Sequence, residues 1–335
     1  MTVLRALAAA AAILSLTLGA TPTPPPGSGP TAHPTPTATA PARTLVVTTA
    51  DELDDALYEA SPGDTIALSD GTYSGAFTAA ASGTADAPIT LTGTRSAVLT
   101  TGSYSRGYAL HITGSYWNID GISVTKSGKG IVLDGSKHTT ISDVEIGNIG
   151  AEGVHFRANS SDGVLEDSVI RDTGIRRPGF GEGVYIGSSY KSWKTVMGSG
   201  AKPDRSDRVT VRDNTITTTA GEGVDAKEGT TGGSIVGNTF RKAGYSGTNS
   251  ADSWIDIAGN GYTVSGNSGS QALLDAIQVH TVRSGWGKKN TFSDNTVLAD
   301  VPGYTVWIDK KSTGNTVACG ESDAGRGLTT SDCSG

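Results

Sequence analysis

Three strings in the middle of the chain repeat one another: Ala151-Glu152-Gly153-Val154-His155-Phe156-Arg157, Gly181-Glu182-Gly183-Val184-Tyr185-Ile186-Gly187 and Gly221-Glu222-Gly223-Val224-Asp225-Ala226-Lys227. After each Glu-Gly-Val, polar or aromatic residues alternate with apolar ones, the two-residue period of a strand. Copies of one strand at such intervals stack as sheet neighbours in a solenoid, where each coil buries its apolar side against the next. Register then assigns the side chains. Val154, Phe156, Val184, Ile186, Val224 and Ala226 face inward. His155, Tyr185 and Asp225 form one outward column, and Arg157, Gly187 and Lys227 form the next.

The same register extends to Leu110-His111-Ile112 and Ile131-Val132-Leu133-Asp134 upstream, and to Ile255-Asp256-Ile257, Ile277-Gln278-Val279-His280 and Val306-Trp307-Ile308-Asp309 downstream. The first column becomes His155, Tyr185, Asp225, Asp256, Gln278 and Trp307. The second becomes Asp134, Arg157, Gly187, Lys227, Ala258, His280 and Asp309. A further repeat, Asp213-Asn214, Gly237-Asn238, Gly266-Asn267, Asp294-Asn295 and Gly314-Asn315, recurs at roughly 20 to 29 residues and places asparagine at one corner of each coil, where stacked amides form a ladder. Near the start, Thr49-Ala50-Asp51-Glu52 is a capping box ahead of Leu53, Ala56, Leu57 and Ala60 at helical spacing. One amphipathic helix before a run of short strands fits a cap over the open end of a solenoid. The expected fold is all-β, a right-handed parallel β-helix with an N-terminal capping helix.

Arg5, the apolar run Ala6 to Leu18 and the small pair Gly19-Ala20 have the form of a secretory signal peptide over 1–20, with a run too short to span a bilayer. Residues 21–43 are rich in Pro and Thr and read as an extended linker, leaving 44–335 as one catalytic domain. The expected protein is extracellular and monomeric, with no membrane attachment once the leader is removed. A net charge of −7 argues against a nucleic-acid partner. Between Arg171 and Arg212, however, nine basic residues stand against four acidic ones, a positive patch suited to an anionic polysaccharide. The long insertion Ser188 to Arg208 carries much of that patch with Tyr190 and Trp193, and is placed to wall a groove beside Tyr185. Cys319 and Cys333 are the two cysteines, expected to pair in an oxidising compartment and staple the tail.

Neighbouring coils lie about 4.8 Å apart and residues i and i+2 of a strand about 6.6 Å, so Tyr185 and Lys227 sit roughly 8 Å apart at the backbone. Their tips are free to converge on one sugar unit. A phenol, an amine, a guanidinium and imidazoles along one groove suit β-elimination on a uronic-acid polysaccharide. In that reaction a cation or donor neutralises the carboxylate and stabilises an enolate-like intermediate, while a base removes the C5 proton and an acid protonates the leaving oxygen. Arg157, His155 or His280 fit the first task, and Tyr185 and Lys227 the other two. Asp225, Asp256, Trp307, Tyr190 and Trp193 are expected to contact the substrate. Two other classes compete. Asp225 and Asp256 form a carboxylate pair of the kind that hydrolyses glycosides, and a surface solenoid could bind polysaccharide without cutting it. With Glu222 those aspartates also offer oxygen ligands to Ca²⁺, although elimination is expected to need no cofactor and no metal. Glu152, Glu182 and Glu222, at one coil position, read as turn residues.

Ala50-Asp51-Glu52-Leu53, Ser61-Pro62-Gly63-Asp64-Thr65-Ile66 and Asp70-Gly71-Thr72-Tyr73-Ser74-Gly75 resemble the cap and first coil of alginate lyases and chondroitinase-B-type enzymes. Gly183-Val184-Tyr185-Ile186 with Asp225-Ala226-Lys227 is similar to the alginate and glucuronan lyases of polysaccharide lyase family thirty-one. That resemblance implies a Tyr/Lys pair cutting a β-1,4-linked polyuronate. Chondroitinase-B-type lyases carry an arginine in the coil after the lysine, with acidic calcium ligands upstream. Here that coil offers Asp256, which favours the Tyr/Lys version.

Overall fold

The structure, a computed structural model, describes residues 42–200 and 202–335. The expected leader and nearly all of the linker lie outside the described residues. The last linker residue, Arg43, belongs to the fold, because its backbone N–H (2.9 Å) and its guanidinium both bond Asp64. Among the described residues, no helix is long and apolar enough to cross a membrane.

Each coil gives one strand to each of three parallel sheets, here A, B and C, of eleven, nine and nine described strands. The order within a coil is A, then B, then C, as in Thr140–Ser142, Glu145–Ile149 and Val154–Arg157. The chain is a parallel β-helix. Inside it, Ile131, Val154, Val184, Val224, Ile255, Ile277 and Val306 align coil upon coil in sheet C, all buried. Each such side chain taken from water contributes about 1.5–3 kcal/mol. The glycine that precedes this valine has a steric reason. A Cβ on Gly153 would lie 2.6 Å from the Gly183 carbonyl oxygen, and one on Gly183 2.6 Å from that of Gly223, so a side chain there would push the coils apart.

The helix Ala50–Glu59 closes the N-terminal end. Thr49 Oγ1 accepts from the Glu52 N–H at 3.2 Å, Glu52 reaches back to the Thr49 N–H at 3.1 Å, and Leu53, Ala56 and Leu57 cover the first apolar layer. At the other end Cys319 and Cys333 form a disulfide.

The amide ladder runs along the corner before sheet B. Asn214, Asn238 and Asn267 each donate from Nδ2 to the Oδ1 of the next asparagine at 3.0 Å, ending on Asn295. The residue before each amide holds a left-handed backbone, Asp213 and Asp294 at φ 56° and Gly237 and Gly266 at 68° and 64°, which is why Asp and Gly alternate there. Asn315 departs from the expected single corner. It accepts from the Asn290 N–H at 2.9 Å, and Asn290 accepts from Tyr262 at 2.8 Å, forming a second ladder before sheet A. The short step from Asn295 to Asn315 marks this change of corner.

Candidate active site

Sheet C builds the site in register. His155, Tyr185, Asp225, Asp256, Gln278 and Trp307 pair one coil after another, as the repeats predict. Asp134 pairs with Arg157 at the head of the second column. Lys227 follows its strand and turns back, so that Nζ lies 5.5 Å from the centre of the Tyr185 ring and 2.5 Å from Asp225 Oδ2. The His155 ring meets Tyr185 edge-on at 4.5 Å. Its Nε2 donates to the Gly187 carbonyl at 2.9 Å, which leaves Nδ1 as a bare lone pair.

The neighbouring positions divide by partner. Arg157 is clamped by Asp134 at 2.5 and 2.9 Å and also donates to the Tyr108 hydroxyl at 3.1 Å. Further along, His280 donates to Gln278 Oε1 at 2.8 Å and lies 5.1 Å from the Trp307 ring. Gln278 donates in turn to Asp252 and Asp275.

Glu152, Glu182 and Glu222 are not solvated turn residues. Their backbone carbonyls join successive coils, and their side chains are buried toward the site. Lys129 takes the same coil position upstream and pairs with Glu152 at 2.8 Å. The sequence carries that signal, since Lys129-Gly130-Ile131 is a fourth version of the Glu-Gly-Val string, with lysine in place of the glutamate. Crowding buried carboxylates sets the electrostatics. Burial, then the charges of Glu152 and Asp225, pushes the Glu182 carboxyl up to about 8. Burial also pushes Glu222 well up and Asp225 up to about 7, against the pull of Lys227. For Lys227, burial favours the neutral amine, but Asp225, Tyr185, Asp256 and Glu222 outweigh it and hold the ammonium charged. Burial keeps the Tyr185 phenol protonated and His155 neutral.

This proton load has a measurable sign. Between the ordinary 4.5 of a glutamate and about 8, native Glu182 keeps a proton that the unfolded chain has lost. Stability therefore falls as pH rises through that window and levels off above it, with Asp225 adding in the same direction. Urea unfolding is expected to show a lower midpoint near pH 8 than near pH 5. Glu182→Gln should flatten the slope, and an unchanged slope would contradict the assignment.

Two walls flank the sheet. The insertion after Ile186 is pinned by Asp204, which accepts from the Ser188 hydroxyl at 2.7 Å and from the N–H groups of Ala158 and Asn159 at 2.9 Å. The Tyr190 N–H donates to Glu228 Oε1 at 2.6 Å, one residue from Lys227. Facing this wall, the loop before the Tyr185 strand brings Arg177 and Phe180, and between them lies a pocket of about 220 Å³ floored by His155, Arg157 and Tyr185. A hollow of about 540 Å³ near Tyr245 and Pro302 is larger but lies away from the columns.

Two expectations change. Trp193 is buried as the core of the insertion, its Nε1 donating to the Ser188 carbonyl at 2.9 Å, so it packs the wall and does not present a face to substrate. The positive patch also shrinks. Arg171 pairs with Glu145, Arg205 with Asp207, Arg208 with Asp162 and Arg212 with Glu166, and Arg171 and Arg212 stand on sheets B and A.

Glu182, Glu222 and Asp225 bring one carboxylate oxygen each within 4.8 Å of one another, the described group best placed to hold a metal. The Lys227 ammonium already sits against this group, on Asp225.

Residues 61–271 match the family model described as periplasmic copper-binding protein (NosD). Copper favours imidazole and thiolate ligands. The trio here is all carboxylate and both cysteines are in the disulfide, so these residues do not suit it. No curated protein matches the chain. Among solved structures, the alginate lyase from Paenibacillus sp. str. FPU-7 is 39% identical over 88% of this chain and 99% of that one, with a TM-score of 0.81. Pectate lyase Pel9A is 15% identical over 86% of this chain and 80% of its own, with a TM-score of 0.58. The GH136 lacto-N-biosidase from Eubacterium ramulus is 11% identical over 85% and 68%, at 0.56, and both share the fold. With a NosD model matching most of its length and 39% identity to nearly the whole of the Paenibacillus enzyme, the chain belongs to the NosD family of β-helical proteins and to the β-helical polysaccharide lyases.

Proposed function

We propose that this chain is an exported lyase that cuts a β-1,4-linked polyuronate, alginate or glucuronan, by β-elimination at Tyr185 and Lys227. The observation that carries the reading is the Lys227 ammonium, held charged in a groove over the Tyr185 ring. The alginate lyase of Paenibacillus supports the substrate class. Lys227 enters the reaction with its proton on, which suits it to the leaving glycosidic oxygen. The C5 proton then falls to Tyr185. Burial keeps that phenol protonated in the free protein, with the adjacent ammonium pulling the other way, so the phenol must first release its proton to solvent as substrate binds. Glu182 and Glu222, held neutral, keep further negative charge away from that phenolate. Arg157 lines the same pocket with Nη1 outside its bonds to Asp134 and Tyr108, and is the group left to meet the substrate carboxylate. Neutral His155, its N–H given to Gly187, offers no donor to it.

Asp225 is spoken for by Lys227 and buried beneath it, which speaks against a hydrolytic pair with Asp256. With a fixed ammonium supplying the positive charge, elimination needs no metal. Incubating the chain with a panel of polymannuronate, polyguluronate and glucuronan is expected to generate the ultraviolet absorbance of an unsaturated uronate in step with new reducing ends. EDTA is expected to leave that rate unchanged. Reducing ends without the absorbance would replace elimination with hydrolysis, and retention of polymer without either would make the chain a binding solenoid.

A further inference from the structure

Arg283 lies outside both columns, in the turn after the strand Ile277–Val279. The turn is built firmly. The Thr281 hydroxyl donates to the Trp286 carbonyl at 3.2 Å, Asn260 Nδ2 to the Gly285 carbonyl at 3.0 Å, and the Gly287 N–H to Ala258 at 3.0 Å. From it the guanidinium reaches back to the insertion, where its carbon stands 5.5 Å from the centre of the Tyr190 ring and 5.3 Å from that of Trp193. The Trp193 ring is fixed by burial and its bond to Ser188, and the backbone that carries Tyr190 is tied by its N–H to Glu228 beside Lys227.

A cation held by aromatic rings keeps its N–H donors available for an acceptor, and among the described residues the Arg283 guanidinium has no hydrogen-bond acceptor. Among the described residues, no carboxylate stands within ion-pair reach of Arg283, which is exposed. Arg157, by contrast, spends its fork on Asp134. The coil that carries Arg283 lies two coils beyond that of Lys227, or about 10 Å along the axis, and the stacking on Tyr190 draws the cation back toward Lys227. A planar donor fork held rigid, charged and unpaired at a groove wall matches a carboxylate, which accepts two parallel N–H bonds.

We propose that Arg283, seated on Tyr190 and Trp193, binds the carboxylate of a uronate next to the one cut at Lys227, and so selects chains that carry charge beyond the scissile unit. The inference rests on the polyuronate reading and adds to it a specificity residue seated against the insertion wall.

The test compares Lys227→Ala with Lys227→Ala/Arg283→Gln in the full chain, binding a polyuronate and the same polymer with its carboxyl groups reduced to alcohols. Affinity electrophoresis is expected to show about tenfold weaker binding of the charged polymer to the double variant, the worth of one charge-assisted pair. The reduced polymer should bind both proteins alike, and Arg283→Lys should recover part of the loss. Equal weakening toward both polymers would make Arg283 a latch for the insertion. No change, or no binding of the charged polymer to either protein, would also overturn the proposal. If the wild-type chain retains polyuronate yet never forms unsaturated ends, elimination fails while the Arg283 comparison remains readable.

Discussion

Lys227→Ala is expected to lower kcat/KM on the preferred polyuronate by about a thousandfold, within the range of a lost proton-transfer group. Tyr185→Phe should fall by a similar factor. Because the two act in one elimination, the double variant should be little slower than the worse single one. Lys227→Arg separates charge from proton transfer, because a guanidinium keeps its charge and does not release its proton. If the lysine hands over a proton, the arginine variant is nearly as slow as the alanine one. Initial rates of unsaturated-product formation read all four variants, and the inward faces of the Val224–Ala226 strand are untouched by any of them. Full activity in both Lys227→Ala and Tyr185→Phe would move the site elsewhere.

Asn238→Ala is expected to carry the largest loss of stability among single amide removals. Its fully buried side chain accepts from the Asn214 N–H and Nδ2 at 3.0 Å, and donates to the Val211 and Val236 carbonyls and to Asn267 Oδ1. Alanine leaves several of these groups inside without a partner, at a cost of about 3 kcal/mol. The position is internal to the ladder, so coils on both sides lose a neighbour, and in a solenoid neighbour contacts carry the stability. Urea unfolding should show a clearly lower midpoint. Asn315→Ala, at the shorter second ladder, should cost less, and equal losses would contradict the two-ladder arrangement.

The sequence exposes the fold and columns because both depend on periods. Alternation fixed Val154 inward and His155 outward, and repetition carried that register coil by coil to Trp307. What it hid depends on distance in three dimensions. Arg208 and Arg212 look unpaired among their sequence neighbours, yet each meets its carboxylate, Asp162 or Glu166, 46 residues earlier in the coil above. Trp193 looks exposed on an insertion until the insertion folds around it. The glutamates of the three strings look like turn formers because their burial comes from walls set by loops, which carry no period. The Asn315 shift was visible as a short step, but only the second ladder explains it.

The central claim is that one polyuronate chain lies across sheet C with its scissile unit between Tyr185 and Lys227. A crystal structure of Tyr185→Phe with a bound uronate oligosaccharide tests it most directly. The account predicts Lys227 Nζ within hydrogen-bonding distance of a glycosidic oxygen, and C5 of the adjoining uronate facing the ring at position 185. An oligosaccharide seated on sheet A or B, or on sheet C with Lys227 still bound only to Asp225, would contradict it.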